Sequence, residues 1–178
     1  MLLDNPADLK ETAAGKRLIG LDPGTKTIGV AVSDSRHGIA TPLEVIRRKK
    51  LKDDLAALKG IIGEYDVGGI VIGLPVNMDG STGQRVQSVK AFQRNIAREI
   101  DLPMVFWDER LSTFAVERNL IDQDVSRAKR REVIDAHAAA FILQGALDFQ
   151  PVAAPDLPDE DEEDEDDTWP FDLGGDKS

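Results

Sequence analysis

Short apolar runs separated by turn residues dominate the first part of the chain. Two of them, residues 18–21 and 28–32, flank a Pro-Gly turn that begins at Asp22, and this arrangement predicts a hairpin. A third run, from residue 38 to 46, contains Pro42. Proline suits an edge strand or a bulge because it lacks the amide hydrogen that the ladder needs. The sheet is therefore predicted to begin with three antiparallel strands.

Amphipathic and fully apolar segments alternate after these strands. Apolar side chains recur at helical spacing over residues 51–64 and again over 86–100. Between them, the continuous apolar run 70–74 is typical of a parallel strand buried on both faces. The run 103–107 predicts a fifth strand, followed by a short helix and by a last helix over 132–149. The order βββαβαβαα predicts an α/β fold with a five-stranded mixed sheet, antiparallel in its first three strands and parallel afterwards, flanked by helices.

The net charge of −11 comes from the C-terminal end of the chain. Residues 151–178 include twelve acidic residues and one base, whereas residues 1–150 include 21 acidic and 21 basic residues. A run dense in one charge is typical of a disordered segment. We therefore expect a flexible leader over residues 1–15, one folded domain over 16–150 and a disordered acidic tail over 151–178. The neutral domain does not exclude a nucleic-acid partner, although the overall acidity would disfavour one.

The chain has no cysteine, which excludes disulfides, iron–sulfur clusters and thiolate zinc sites. Its two histidines, His37 and His137, are too far apart in sequence to form a local helical metal motif. A metal would therefore have to be held by carboxylates. Because the N-terminus lacks the features of a signal peptide and no apolar stretch is long enough to span a bilayer, we expect a cytoplasmic protein without membrane contact.

Three acidic residues stand at the ends or on the faces of predicted elements. Asp22 ends the first strand, Glu109 follows the fifth, and Asp135 projects from a face of the last helix that is otherwise small and apolar. Each has a simpler role: Asp22 can cap its own turn, Glu109 can favour the start of a helix, and Asp135 can pair with an arginine. An unpaired carboxylate on the helix face would be costly to bury, so Asp135 needs a cation or a metal.

These three carboxylates converge if the last helix crosses the strand ends. Hard oxygen ligands of this kind suit Mg²⁺ or Mn²⁺. Two such ions activate a water molecule and stabilise the leaving oxygen when a phosphodiester is hydrolysed. The pattern therefore indicates metal-dependent hydrolysis of a nucleic-acid backbone.

Basic side chains form two clusters in the neutral domain, one before the first helix and one before the last. Each cluster alone is typical of a solvated surface, but both together beside a carboxylate pocket favour contacts with phosphates. The hairpin turn and the residue after Glu109 add two further cations. The predicted substrate-binding residues are Lys26, Arg47, Arg48, Lys49, Arg110, Arg130 and Arg131.

Four segments of the chain resemble the YqgF (RuvX) family, whose members are described as Holliday junction resolvases and as nucleases that mature the 5′ end of pre-16S rRNA. The segments are GLDPGTKTIGVAVSD (20–34), VIGLP (71–75), WDERLST (107–113) and DAHAAAFIL (135–143). They occur in the family's order and span most of the predicted domain. The set is specific, although no single segment is.

The resemblance implies a ribonuclease H-like fold, Mg²⁺ (or Mn²⁺) as cofactor, and a catalytic and metal-binding triad of Asp22, Glu109 and Asp135. It implies a nuclease that processes the 5′ end of pre-16S rRNA in ribosome biogenesis. The implied partners are nucleic acid, with pre-rRNA ahead of a DNA junction, and ribosomal or assembly proteins, for a monomer or a homodimer. The family often has arginine at the position of Thr27, so a phosphate contact is weakened here.

Three other functions remain open at this point. The same residues suit a Holliday junction resolvase that cuts four-way DNA, and the basic clusters alone would suffice for a non-catalytic RNA-binding assembly factor. An actin-like or sugar-kinase-like ATPase also has an Asp-x-Gly-Thr loop after a strand, but it needs two duplicated domains, and this chain shows no internal repeat. The acidic tail supports the separate hypothesis that it competes with nucleic acid for the basic clusters.

Overall fold

The computed structural model describes residues 1–111 and 127–151, without the side chains of 127–132. The strands are β1 (Leu2–Leu3), β2 (Arg17–Pro23), β3 (Thr27–Ser33), β4 (Ala40–Arg47), β5 (Val67–Leu74) and β6 (Met104–Asp108). The helices are α1 (Pro6–Thr12), α2 (Leu51–Glu64), α3 (Gln84–Glu99) and α4 (Arg127–Asp148), with a 3₁₀ turn at Glu109–Leu111 after β6. The predicted short helix beyond residue 111 and nearly all of the predicted acidic tail lie outside the described residues.

The strands form one mixed sheet in the order β1-β6-β5-β2-β3-β4. The first three predicted strands are antiparallel, because β3 pairs antiparallel with both β2 and β4. Strand β5 is parallel to its two neighbours, β2 and β6. β4 lies at an edge, and its Pro42 pairs with Ala31 next to an irregularity in the ladder. β5 is central and buried along all but its last residue. The predicted mixed sheet and α/β class are confirmed.

Helices cover both faces of this sheet. Successive side chains of each strand point to opposite faces, so the strands contribute to two apolar clusters. On one face, α2 and α3 contribute residues such as Leu58 and Ile96. On the other face, Leu9 of α1 and Leu143 of α4 pack on the sheet, and α4 lies across β2, β3 and β4. None of the described helices is long and apolar enough to cross a membrane.

The expected flexible leader is wrong for most of its length, because residues 2–12 form β1 and α1. Leu2 and Leu3 pair in parallel with β6 and add a sixth strand to the sheet. Lys10 fastens α1 to the end of α4, where its Nζ donates hydrogen bonds to the carbonyl oxygens of Leu147 at 2.8 Å and Phe149 at 3.0 Å. A two-residue strand and a seven-residue helix are too short to show a period in the sequence, which explains why the pattern missed them.

Helix α4 begins at Arg127 and not at residue 132 as predicted. The residues that precede 132 are mostly charged or polar, so they carry no apolar stripe from which the start of the helix could be located. The backbone of Arg130 and Arg131 therefore belongs to the first turns of the helix, while their side chains lie outside the described part.

The packing of α1 predicts a clear difference between two leucines of the N-terminal segment. Leu9 is fully buried, whereas Leu2 is 50% exposed. We expect Leu9→Ala to lower the free energy of unfolding by about 2–4 kcal/mol, because it removes buried methyl groups and leaves a cavity. Leu2→Ala is the matched control and should cost well under about 1 kcal/mol. Urea unfolding of both variants measures the difference, and equal stabilities would mean that α1 does not pack as described.

Candidate active site

Asp22 lies near the end of β2, between two glycines on the neighbouring strands. Across the antiparallel ladder it pairs with Gly29 of β3. On the other side, Leu21 pairs with Ile72, so Gly73 of β5 is the neighbour of Asp22 in the parallel direction. Adjacent strands are about 4.8 Å apart. Asp22 is therefore flanked on both sides by residues without a side chain.

The side chain of Asp22 points to the face of the sheet that α4 covers. A Cβ atom built on Gly20 would lie 2.6 Å from the Cβ of Leu143 in α4, so position 20 faces that helix. Residues two apart in a strand share a face. Asp22 is accordingly on the same face, and it is half-buried there.

The two flanking glycines lie next to the other two predicted acidic residues. A Cβ on Gly29 would overlap the backbone carbonyl oxygen of Asp135, so α4 contacts the sheet directly at this point. A Cβ on Gly73 would lie 3.0 Å from Oε1 of Glu109. Glu109 and Asp135 therefore stand over the two positions on either side of Asp22. The three residues lie at one end of the sheet, on one face, and their role as a catalytic and metal-binding triad stays a prediction.

A threonine of β3 holds the carboxylate of Asp135. The Thr27 hydroxyl donates a hydrogen bond of 2.6 Å to Oδ2 of Asp135. Thr27 and Gly29 share a face of β3, so the strand that lets the helix approach also supplies the donor. From the sequence, Thr27 is expected only to weaken a phosphate contact. Its role as a partner of Asp135 was not predicted, because the two residues are 108 positions apart.

Arg110, predicted to contact the substrate, is bound to its neighbour Asp108. Its Nε lies 3.0 Å from both carboxylate oxygens of Asp108, and its Nη1 donates a 3.4 Å hydrogen bond to the carbonyl oxygen of Asn77. The hydrogen bonds from the Arg110 side chain hold the pKa of the Asp108 carboxyl below its ordinary value. Asp108, the last residue of β6, is thus paired with a cation, whereas Oε1 of Glu109, the next residue, lies over Gly73.

Arg48 is engaged by three elements of the fold. Its Nη1 donates a 2.8 Å hydrogen bond to the carbonyl oxygen of Gly24, and its Nε lies 3.5 Å from Asp54, a carboxylate only 3% exposed. Its guanidinium also stacks 5.0 Å from the centre of the Phe92 ring. These contacts join the β2–β3 turn to α2 and α3. They favour a structural role for Arg48 over the predicted contact with substrate.

Three other predicted cations, Lys26, Arg47 and Lys49, are exposed at the same end of the sheet. Arg47 pairs with Thr27 in the β3–β4 ladder, and the backbone amide of Arg48 donates to the carbonyl oxygen of Lys26 at 2.9 Å. The basic segment is therefore fastened beside the turn that follows Asp22. The side chains of the remaining two predicted residues, Arg130 and Arg131, lie outside the described part.

The oxygen donors of Asp22, Glu109 and Asp135 are of the kind that a hard divalent cation prefers. All three residues offer carboxylate oxygens, the hard ligands that Mg²⁺ and Mn²⁺ prefer. The space beside the two flanking glycines is filled by the backbone of Asp135 at Gly29 and by the side chains of Ile142 and Glu109 at Gly73. As they stand, however, no three His, Asp or Glu side chains within residues 1–111 and 133–151 are grouped closely enough to hold a metal ion. Asp22 and Glu109 also interact with other groups.

The chain is similar in sequence to known proteins over most of its length. The chain matches the family described as RuvX, Holliday junction resolvase, over residues 16–149. It is 65% identical over 131 residues to a protein of Bradyrhizobium sp. (strain ORS 278), covering 74% of this chain and 81% of that one. It is 55% identical over 151 residues to a protein of Roseobacter denitrificans, covering 83% and 93%. Both relatives are pre-16S rRNA nucleases by name.

A solved structure of T. thermophilus RuvC in complex with a Holliday junction substrate is also similar. It has a TM-score of 0.47 and 13% sequence identity over 74% of this chain and 93% of that one. Membership of the family follows from the sequence match over residues 16–149 and does not depend on this structure. The resemblance found in the sequence is confirmed, and the chain belongs to the RuvX family.

Proposed function

We propose that this protein is a divalent-metal-dependent nuclease that hydrolyses phosphodiester bonds and processes the 5′ end of pre-16S rRNA. The observation that carries the proposal is an arrangement at one end of the sheet: Asp22 pairs with Gly29, the backbone of Asp135 lies over Gly29, and Oε1 of Glu109 lies over Gly73. Relatives with more than half of their residues identical are pre-16S rRNA nucleases by name, which supports RNA as the substrate.

The three carboxylates would hold Mg²⁺ or Mn²⁺ over the end of β2. A divalent ion bound there supplies an activated water molecule and stabilises the leaving oxygen of the phosphodiester. The chain itself sets the positions of its ligands: strand geometry fixes Asp22, the end of β6 presents Glu109, and Thr27 restrains Asp135 through its hydrogen bond. These restraints reduce the rearrangement that the ligands must undergo before they can act.

Exposed cations beside this end of the sheet would bind the phosphates of the substrate. Lys26 lies at the β2–β3 turn, and its carbonyl oxygen accepts a hydrogen bond from the backbone amide of Arg48, the residue between Arg47 and Lys49. We assign these three side chains to substrate binding. Arg48 is assigned to the fold, since its guanidinium already contacts Gly24, Asp54 and Phe92.

A panel of cleavage assays tests the proposed function. Single-stranded RNA that spans the 5′ end of 16S rRNA, the corresponding RNA duplex and a four-way DNA junction are incubated with the protein, with and without Mg²⁺. We expect cleavage of the RNA only in the presence of Mg²⁺. The Asp22→Asn variant serves as the blank, and equal cleavage by this variant would exclude the proposed site.

Junction resolution is the second candidate, because the family description names it. Two symmetric cuts in a four-way junction require two sites, so a resolvase should act as a dimer with twofold symmetry. Cleavage of the junction in preference to both RNAs, together with a dimer in sedimentation experiments, would favour this alternative.

The hydrogen bond from Thr27 leads to a specific prediction. Thr27→Val keeps the shape of the side chain but removes the donor to Asp135. We expect kcat to fall by about tenfold with KM little changed, since partners of metal ligands typically contribute about 10- to 100-fold. Thr27→Ser keeps the hydroxyl and should retain most of the activity. If the valine and serine variants have the same kcat, the hydrogen bond has no part in positioning Asp135.

A further inference from the structure

We propose that a cavity on the opposite face of the β2–β3 turn binds a backbone phosphate of the same nucleic-acid strand, beside the phosphate that is cleaved, with Arg85 as its main ligand. This inference rests on the proposed nuclease function, and it assigns a binding role to Arg85, which lies outside the two basic clusters of the sequence. The ligand is a phosphodiester group, and a single strand is the form that can turn around the end of the sheet.

The cavity has a volume of about 330 Å³ and lies between the turn and the first part of α3. Gly24 and Thr25 form one wall, and Arg85 and Ser88 form part of the other. Arg85 and Ser88 are three positions apart in the helix, so their side chains lie on the same face. A guanidinium, a hydroxyl and the polar backbone of a turn are thereby placed around one space that is open to solvent.

Arg85 differs from Arg48 and Arg110, whose guanidinium groups contact other residues of the fold. Arg48 contacts three elements, and Arg110 is paired with Asp108. In the parts of the chain that the structure describes, no acidic side chain forms an ion pair with Arg85, and its side chain is exposed. The forked donors of a guanidinium match the oxygens of a phosphate, so an unpaired arginine in a cavity is suited to that ligand.

The position of the cavity indicates which phosphate it binds. Asp22 and Pro23 are consecutive in β2, so they face opposite sides of the sheet, with the carboxylates on the α4 side and the cavity on the α3 side. Lys26 is exposed in the turn between them. A strand that passes over this turn meets the carboxylates, then Lys26, then Arg85. The cavity therefore binds a flanking phosphate and takes no part in the cleavage step.

Two arginines of the same helix provide a matched experiment. Arg94 is also exposed on α3 but does not line the cavity, and nine positions of helix place it on the side opposite Arg85. Each is replaced by alanine in the full chain, so the change of charge is identical. Arg85→Lys keeps the positive charge but lacks the paired donors of the guanidinium. Binding of fluorescein-labelled single-stranded RNA from the 5′ end of 16S rRNA is measured in the Asp22→Asn background, and KM and kcat are measured with Mg²⁺ in the active protein.

We expect Arg85→Ala to raise Kd and KM about five- to tenfold and to leave kcat within about twofold of the wild type. The slope of log Kd against log salt concentration should decrease by about 0.7 for a single strand, because one phosphate contact is lost. Arg94→Ala should leave all of these quantities close to the wild-type values, and Arg85→Lys should lie between them.

The outcomes separate this inference from the function on which it rests. If the wild type cleaves the RNA but Arg85→Ala and Arg94→Ala have equal Kd, KM and salt slopes, the cavity binds no phosphate and the nuclease function stands. If Arg85→Ala changes kcat and not KM, the residue acts at the cleaved phosphate and the assignment to a flanking one is overturned. A wild type that neither binds nor cleaves RNA or the junction would overturn both proposals.

Discussion

Replacement of Gly29 by alanine is expected to lower the free energy of unfolding by about 3 kcal/mol and to abolish cleavage. The added Cβ would overlap the carbonyl oxygen of Asp135, which is a backbone atom of α4 and cannot rotate away. The helix must therefore move off the sheet, and Asp135 moves with it. Thermal or urea unfolding measures the first effect, and an assay with labelled RNA measures the second.

Gly60→Ala is the matched control for this substitution. Gly60 lies inside α2, and nothing is within 4 Å of the Cβ that alanine would add there. Since glycine is a poor helix former, we expect alanine to stabilise the protein by about 0.5–1 kcal/mol and to leave activity unchanged. A Gly29→Ala variant as stable and as active as Gly60→Ala would show that α4 does not contact β3 closely.

Asp22→Asn is expected to reduce kcat by about a thousandfold while Kd for RNA stays within about twofold. The amide has nearly the shape of the carboxylate but no negative charge, so it is a poor ligand for a hard divalent cation. Substrate binding should persist because the cations assigned to it are elsewhere. Single-turnover cleavage and fluorescence anisotropy measure the two quantities separately.

Asp101→Asn makes the same chemical change at an exposed loop before β6, at the other end of the sheet. Its cleavage rate should equal that of the wild type. If both aspartate variants retain full activity, the carboxylate cluster is not the catalytic centre. If Asp22→Asn loses binding and cleavage together, the residue contributes to binding or to the fold and its assignment to the cleavage step fails.

Periodicity predicted the larger elements of this fold because their sequences contain enough turns to show it. Helix α2 has the predicted bounds, 51–64, and the central strand β5 includes the predicted run 70–74. Strand β1 and helix α1 were not predicted, because their packing depends on contacts with β6 and α4, far along the chain. Short elements of this kind are stabilised by tertiary contacts, which a local pattern does not contain.

The places of the three acidic residues in the fold could be predicted because each is tied to the end or the face of an element, and their role as metal ligands stays a prediction. A glycine within an apolar strand also signals a close approach, which at Gly29 is made by the backbone of Asp135 and at Gly73 by the side chains of Ile142 and Glu109. The sequence could not distinguish basic residues that stabilise the fold from basic residues that are exposed to solvent. Arg48 and Lys49 are adjacent in the sequence, yet only the folded structure shows that the first contacts Asp54 and Phe92 while the second is exposed.

Binding of Mn²⁺, followed by electron paramagnetic resonance, tests most directly whether Asp22, Glu109 and Asp135 form one metal site. The signal of free Mn²⁺ is titrated with the wild type and with the Asp22→Asn, Glu109→Gln and Asp135→Asn variants, and Asp101→Asn serves as the control. We expect the wild type and the control to bind Mn²⁺ and each of the three variants to bind it at least about tenfold more weakly. Equal binding by all five proteins, or none by the wild type, would contradict a metal site built from these three carboxylates.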